Sequence, residues 1–168
     1  MLDRLTALVA RLEDVAVGAI LLGATFILFQ GVVLRYLANY AFPWTEEVVR
    51  YSIVWLVFLG GSIAARRGAH ISMDILVVYL PPRARLFVMG VASALAAGFT
   101  LLTTYYGVVL TASIWQYGQL SPAAEIPMAL PFAAIPVGCG LMTVRFFLTS
   151  LVYFLGVDPF KQRAHLEA

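Results

Sequence analysis

Four long runs of apolar residues, separated by short polar and charged clusters, set the pattern of this chain. About 20 predominantly apolar residues form a helix of about 30 Å, enough to cross the hydrocarbon core of a bilayer. The pattern therefore predicts four transmembrane helices, over residues 15–34, 44–65, 86–115 and 127–155. Residues 1–168 are predicted to form a single all-α membrane domain, a helical bundle that is opened out.

Two other segments have the pattern of amphipathic helices. Leu5, Leu8, Val9 and Leu12 follow a spacing of i, i+3, i+4 and i+7, with charged residues elsewhere around the helix. This spacing predicts an interfacial helix over 2–13, separate from the first span. A second interfacial helix is predicted over 70–80.

The boundaries of the last two spans follow from proline and charge. Residues 86–124 carry no charge, a stretch too long for one upright span and too short for two with a turn. They predict one long tilted helix that ends near Trp115. Glu125 and Pro127 are expected to begin the fourth helix, because an acid suits the helix dipole there and proline loses no hydrogen bond.

Composition agrees with an integral membrane protein. Of 168 residues, 62% are hydrophobic and 12% charged, and the mean hydropathy is +0.91. The net charge of +2 is small and the basic residues are scattered, so no nucleic-acid partner is expected. Cys139, the single cysteine, lies in an apolar run and is interpreted as a packing residue.

The distribution of lysine and arginine predicts the orientation. Basic residues gather in the N-terminal segment, between the second and third spans, and in the C-terminal tail. By the positive-inside rule both termini are predicted to be cytoplasmic. Glu46 and Glu47 then lie at the outer face, and His70 and Asp74 at the inner face.

A cluster of charges marks the outer end of the second span. Arg35, Glu46, Glu47 and Arg50 contribute two charges of each sign, and on a helix both glutamates are spaced to reach Arg50. The favoured interpretation is a self-neutralising structural group. The alternative is that Glu46 or Glu47 carries protons, as acids near membrane depth often do.

Aromatic and small residues follow along the same helix. Trp44, Tyr51, Trp55 and Phe58 form an aromatic stripe, and Gly60 and Gly61 offer a smooth surface. We expect both features to serve packing, which includes packing against a different chain.

Two remaining groups bear on function. His70 and Asp74 are four residues apart and could hydrogen-bond on a helix, but with only one other histidine in the chain neither a metal site nor a haem is expected. Arg145 lies within the fourth span. It either extends to lipid phosphate or pairs with an acid of a partner.

Several kinds of chemistry have no motif here. The sequence has no phosphate-binding loop, no nucleophile with its base, and no set of intramembrane acids and amides that would coordinate a coupling ion. We therefore expect no enzyme activity and no cofactor, and the chain resembles one part of a larger assembly.

The ordered motifs resemble one known family. The matching residues are Arg35-Tyr36, Trp44-x-Glu46-Glu47-x-x-Arg50, Trp55, Phe58-x-Gly60-Gly61, His70-Ile71-x-x-Asp74 and Leu80-Pro81-Pro82. Together they resemble the small membrane subunit of tripartite ATP-independent periplasmic (TRAP) transporters.

The resemblance implies a bacterial inner-membrane complex in which a periplasmic binding protein delivers an organic acid or related solute. A large membrane subunit translocates the solute with sodium, and the small subunit supports it. The resemblance makes Trp44, Glu46, Glu47 and Arg50 scaffold and interface residues.

Three functions are compatible with this sequence. The favoured one is the scaffold subunit, in contact with the large subunit, the binding protein and membrane lipid. A self-sufficient, proton-coupled homo-oligomeric transporter is the alternative. The third, a membrane anchor for a redox enzyme, is disfavoured because no histidine lies within a span.

Overall fold

The computed structural model describes residues 2–37, 39–40, 42–66 and 81–155. Within this part the chain folds into four helices, each long and apolar enough to cross a membrane. They are α1 (Leu2–Leu37), α2 (Pro43–Arg66), α3 (Pro82–Gln116) and α4 (Ala129–Phe154). The predicted all-α, four-span fold class is confirmed. The second predicted interfacial helix, over 70–80, lies outside the described residues.

The first helix differs from the expectation. The sequence predicts an interfacial helix over 2–13 and a separate span over 15–34, but one continuous helix, Leu2–Leu37, covers both. No glycine or proline interrupts residues 2–17, so nothing in the backbone favours a break there. In addition, the charged residues at the expected boundary, Glu13 and Asp14, form ion pairs with other helices. The helix can therefore continue through this boundary.

The helices form an open row. α1 packs along α2, α2 along α4, and α4 along α3, with α3 and α4 sharing the most extensive interface. The spatial order is therefore α1, α2, α4, α3, and α1 and α3 lie at the two edges. This arrangement agrees with a bundle that is opened out.

Small residues allow the helices of the row to approach closely. At Gly138 of α4, an added Cβ would lie 2.6 Å from the Cβ of Phe58 and 2.8 Å from its carbonyl carbon and oxygen. Hydroxyl groups also join α3 and α4, since Thr143 donates to the Thr100 hydroxyl at 2.9 Å and Ser150 donates to the Gly90 carbonyl at 3.1 Å. Close backbone approach and interhelical hydrogen bonds are typical of packing inside membranes.

The loop between α3 and α4 is tied into a compact hairpin, which corrects the expected start of the fourth helix. Ser121 N–H donates to the Ile126 carbonyl and Met128 N–H to the Gln119 carbonyl, both at 2.9 Å. Glu125 has a positive φ of 52° and lies in this loop, not in a first helical turn. The local hydrogen bonds of the hairpin therefore delay the helix start to Ala129.

Candidate functional site

At the N-terminal end of α2, Glu46 makes only a loose ion pair. Its carboxylate lies 3.9 Å from an Arg35 guanidinium nitrogen, and both side chains are largely exposed, at 75% and 67%. Exposed pairs of this kind contribute about 0–1 kcal/mol. The predicted contact between α1 and α2 is therefore present, but it holds the fold weakly.

Glu47 has a different partner from the one expected. Its carboxylate accepts the backbone N–H of Ala123 at 3.2 Å and that of Ala124 at 3.0 Å, both in the α3–α4 hairpin. A backbone N–H that is shielded from water needs a hydrogen-bond acceptor. Here the acceptor is the carboxylate of Glu47, which is 76 and 77 residues away in the sequence. Glu47 therefore fastens the hairpin to α2.

Arg50 is exposed and makes no direct ion pair with either glutamate, although it is near enough to attract the Glu47 carboxylate electrostatically. Within the described ranges, no carboxylate lies within ion-pair distance of Arg50. The predicted network of four charges is thus divided into a loose Arg35–Glu46 pair and a Glu47–backbone contact. Glu47 bonds directly to the N–H groups of the hairpin, and Arg50 adds only attraction at longer range.

The strongest polar cluster lies toward the other end of the molecule, around Arg145 of α4. One guanidinium nitrogen donates to Glu13 of α1, and the other donates to the Ser62 carbonyl and, at 2.8 Å, to the Ser62 hydroxyl in α2. The Ser62 hydroxyl donates in turn to Glu13 at 3.2 Å. Glu13 is 4% exposed and Ser62 fully buried. We call Glu13, Ser62 and Arg145 the inner cluster; it joins three helices.

The two expectations for Arg145 were a lipid phosphate and an acid of a partner chain. Its observed partner is an acid of the same chain, Glu13, which falls in the segment predicted to be a separate interfacial helix. One turn nearer the end of α2, Arg66 pairs with Asp14. Sequence reasoning missed Glu13, Asp14, Ser62 and Arg66 as partners. The available signal was an arginine within a span, since such a charge needs an acid at the same depth.

The aromatic stripe of α2 contacts α4 and the residue just before it, within this chain. The Tyr51 hydroxyl donates to the Met128 sulfur at 3.4 Å, and the backbone of Phe58 lies against Gly138. Trp55 is half-buried, whereas Trp44 is 37% exposed. Part of the expected surface for another chain is therefore used internally, and Trp44 is left partly exposed at the N-terminal end of α2.

The two glycines of α2 face different surroundings. A Cβ at Gly61 would collide with the terminal methyl of Met142 in α4, whereas a Cβ at Gly60 would meet nothing within 4 Å. Gly61 therefore belongs to the α2–α4 contact and Gly60 faces outward. His70 and Asp74 lie outside the described residues.

No group of three or more metal-ligating side chains occurs in the part of the chain that the structure describes. The polar clusters found there are ion pairs and hydrogen bonds that join helices. This arrangement is suited to fixing the positions of helices.

Comparisons with known proteins agree with one another. A family model described as "Tripartite ATP-independent periplasmic transporters, DctQ component" matches residues 24–155. The C4-dicarboxylate TRAP transporter small permease protein DctQ of Vibrio cholerae is 28% identical over 151 residues, which cover 76% of this chain and 65% of that protein. The ectoine TRAP transporter small permease protein TeaB of Halomonas elongata is 26% identical, covering 90% of this chain and 78% of the relative.

A third relative is much longer than this chain. The isethionate TRAP transporter permease protein DctMQ of Oleidesulfovibrio alaskensis is 28% identical over 131 residues, which cover 74% of this chain but only 21% of that protein. The chain thus spans about a fifth of this relative and just under two thirds of the Vibrio protein.

Proposed function

Because this chain belongs to the DctQ component family of tripartite ATP-independent periplasmic transporters, we propose that it is a scaffold subunit that does not itself carry the solute. Members of this family are transporter subunits and not enzymes. The chain is accordingly a multi-pass protein of the bacterial inner membrane.

The observation that carries the proposal is how three of the four described acidic side chains of the spans are engaged. Glu13 and Asp14 are ion-paired with Arg145 and Arg66, and Glu47 accepts two backbone N–H groups. A coupling site must bind and release a proton or cation during each cycle, which would break these contacts between helices. Such groups suit a scaffold that keeps its shape.

The proposed main partner is a large TRAP membrane subunit. The isethionate relative, named DctMQ, supports this proposal. The region similar to this chain makes up only about a fifth of that permease protein, so most of the relative is additional sequence. The edge helices α1 and α3 also carry large exposed apolar side chains, among them Phe26, Phe29, Phe99 and Leu102. These edges offer surfaces for a membrane partner or for lipid.

We further propose that the assembled transporter imports an organic acid or a related solute, with sodium coupling in the large subunit and delivery by a periplasmic binding protein. The names of the relatives include C4-dicarboxylate, isethionate and ectoine. That range supports a solute choice made outside the small subunit.

The test is reconstitution in liposomes. The purified chain alone should give no solute uptake under a sodium or proton gradient, whereas addition of the large subunit and binding protein should give uptake. Glu46→Gln and Glu47→Gln distinguish the alternative, because a proton carrier would lose uptake at normal complex yield. Uptake by the lone chain, or a glutamine variant with full yield and no uptake, would overturn the scaffold proposal.

A further inference from the structure

A cleft separates the N-terminal part of α1 from the C-terminal half of α4, over the end of α2. Its volume is about 420 Å³, within the range of small-molecule sites, about 300–1,000 Å³. The lining combines apolar side chains with two arginines and two threonines. These residues are Thr6, Val9, Ala65, Arg66, Leu141, Val144, Arg145, Leu148 and Thr149.

The cleft lies where the hydrocarbon layer ends. The charge-free part of α1 stops at Asp14, and that of α2 stops at Arg66. Arg66 thus lies at the level expected for lipid headgroups. Leu141 and Val144 lie on the turns of α4 before Thr149, further from that level and toward the middle of the membrane. A ligand here would have a polar end near Arg66 and an apolar end along α4.

Hydrogen-bond donors in the cleft are still available. Arg66 pairs with Asp14 through one terminal nitrogen, Nη2. Among the described residues, no acceptor is bonded to its Nη1 or Nε, and the side chain is 27% exposed. A guanidinium has five N–H donors in a fixed plane and suits a phosphate group especially well.

Thr149 supplies the second donor, and its behaviour differs from that of other threonines in this chain. Threonine in a helix commonly donates back to the carbonyl four residues earlier. Thr25, Thr103, Thr104 and Thr111 all do so. In the described part of the chain, the Thr149 hydroxyl makes no such bond, and it lines the cleft.

From these observations we propose that this cleft binds one phospholipid. Its phosphate accepts hydrogen bonds from Arg66 and Thr149, and an acyl chain lies against Val144 and Leu148. Arg145, the one residue of the inner cluster that lines the cleft, is already bonded to Glu13 and Ser62 and is not needed as a ligand. A lipid here would fill the gap between α1 and α4, which contact each other little directly.

The test measures lipid retention. The full chain, with any subunit that co-purifies, is equilibrated in mixed micelles containing phosphatidylglycerol, and bound lipid is counted by native mass spectrometry. Thr149→Val removes the hydroxyl at similar volume and should weaken retention by about tenfold, as expected for a hydrogen bond to a charged group. The matched control is Thr103→Val, whose hydroxyl bonds only within its own helix.

A second variant tests the apolar half of the site. Val144→Trp should fill the cleft and prevent retention, whereas Val137→Trp, on the same helix and outside the lining, should retain lipid. Circular dichroism and gel filtration verify that each variant is folded. If Val144→Trp does not fold, Thr149→Val still tests the proposal.

The source of the phosphate is tested separately. Diacylglycerol with the same acyl chains lacks the phosphate and should not be retained, and inorganic phosphate should not displace the lipid. Equal retention in all variants, retention of diacylglycerol, or displacement by phosphate alone would overturn the proposal. So would a crosslink from Val144→Cys to a protein subunit in a Cys139→Ala background.

Discussion

At the scale of single residues, the buried pair of Glu13 and Arg145 is the most consequential contact. Both side chains are largely removed from solvent, at 4% and 16% exposure. Breaking a buried pair costs about 3–5 kcal/mol because the remaining charge is uncompensated. We expect Glu13→Gln or Arg145→Gln to lower the thermal unfolding temperature in detergent, as followed by intrinsic fluorescence.

The control for that experiment is Asp14→Asn. The Asp14–Arg66 pair is partly exposed, at 48% and 27%, so its loss should cost only about 0–1 kcal/mol. Replacing both buried partners, as in Glu13→Leu with Arg145→Met, should recover much of the stability. If Glu13→Gln were no more harmful than Asp14→Asn, the inner cluster would not be the support described here.

Glu47 gives a second prediction at the residue scale. Glu47→Ala removes the acceptor for the N–H groups of Ala123 and Ala124, so hydrogen exchange at these two amides should become faster. Water reaches this part of the hairpin, so global stability should change little. Glu47→Gln keeps a carbonyl acceptor and should retain part of the protection. Glu46→Ala is the control, and a similar effect from it would contradict the assignment.

At the scale of elements, the α2–α4 contact depends on Gly138. A methyl group there would meet backbone atoms of Phe58 at 2.8 Å, which cannot move aside as a flexible side chain can. We expect Gly138→Ala to separate the helices and lower the unfolding temperature, although alanine favours a helix by about 0.5–1 kcal/mol over glycine.

Gly98→Ala is the matched control, because a Cβ at Gly98 in α3 would meet nothing within 4 Å. This variant should be neutral or slightly stabilising. Equal stability of the two variants would show that α2 and α4 tolerate a wider separation than the structure has.

At the scale of the whole molecule, the four described spans place the start of α1 and the end of α4 on the same side of the membrane. The basic residues predict that this side is the cytoplasm. Single cysteines at Asn39, Gly68 and Gln119 in a Cys139→Ala background test this in intact cells. An impermeant thiol reagent should label the first and third positions. Labelling at Gly68 would show that the orientation is the opposite of the predicted one.

Much of the architecture followed from the sequence alone. The number and type of the helices could be predicted because crossing a bilayer requires about 20 apolar residues in a row, a requirement that each span meets locally. The long third helix was also predictable, because the uncharged stretch is too long for one upright span and too short for two spans with a turn. The family resemblance rested on short local motifs, and the match over residues 24–155 agrees with it.

The polar contacts depended on the tertiary structure. Helical spacing allows Glu47 to reach Arg50, but only the folded hairpin brings the N–H groups of Ala123 and Ala124 to that carboxylate. Glu13 and Arg145 are 132 residues apart, and their pairing depends on the order α1, α2, α4, α3. The charge pattern along one helix indicates which side chains need partners. Which partner each one finds is decided by helix packing, because hydrogen bonds and buried ion pairs form only over a few ångströms.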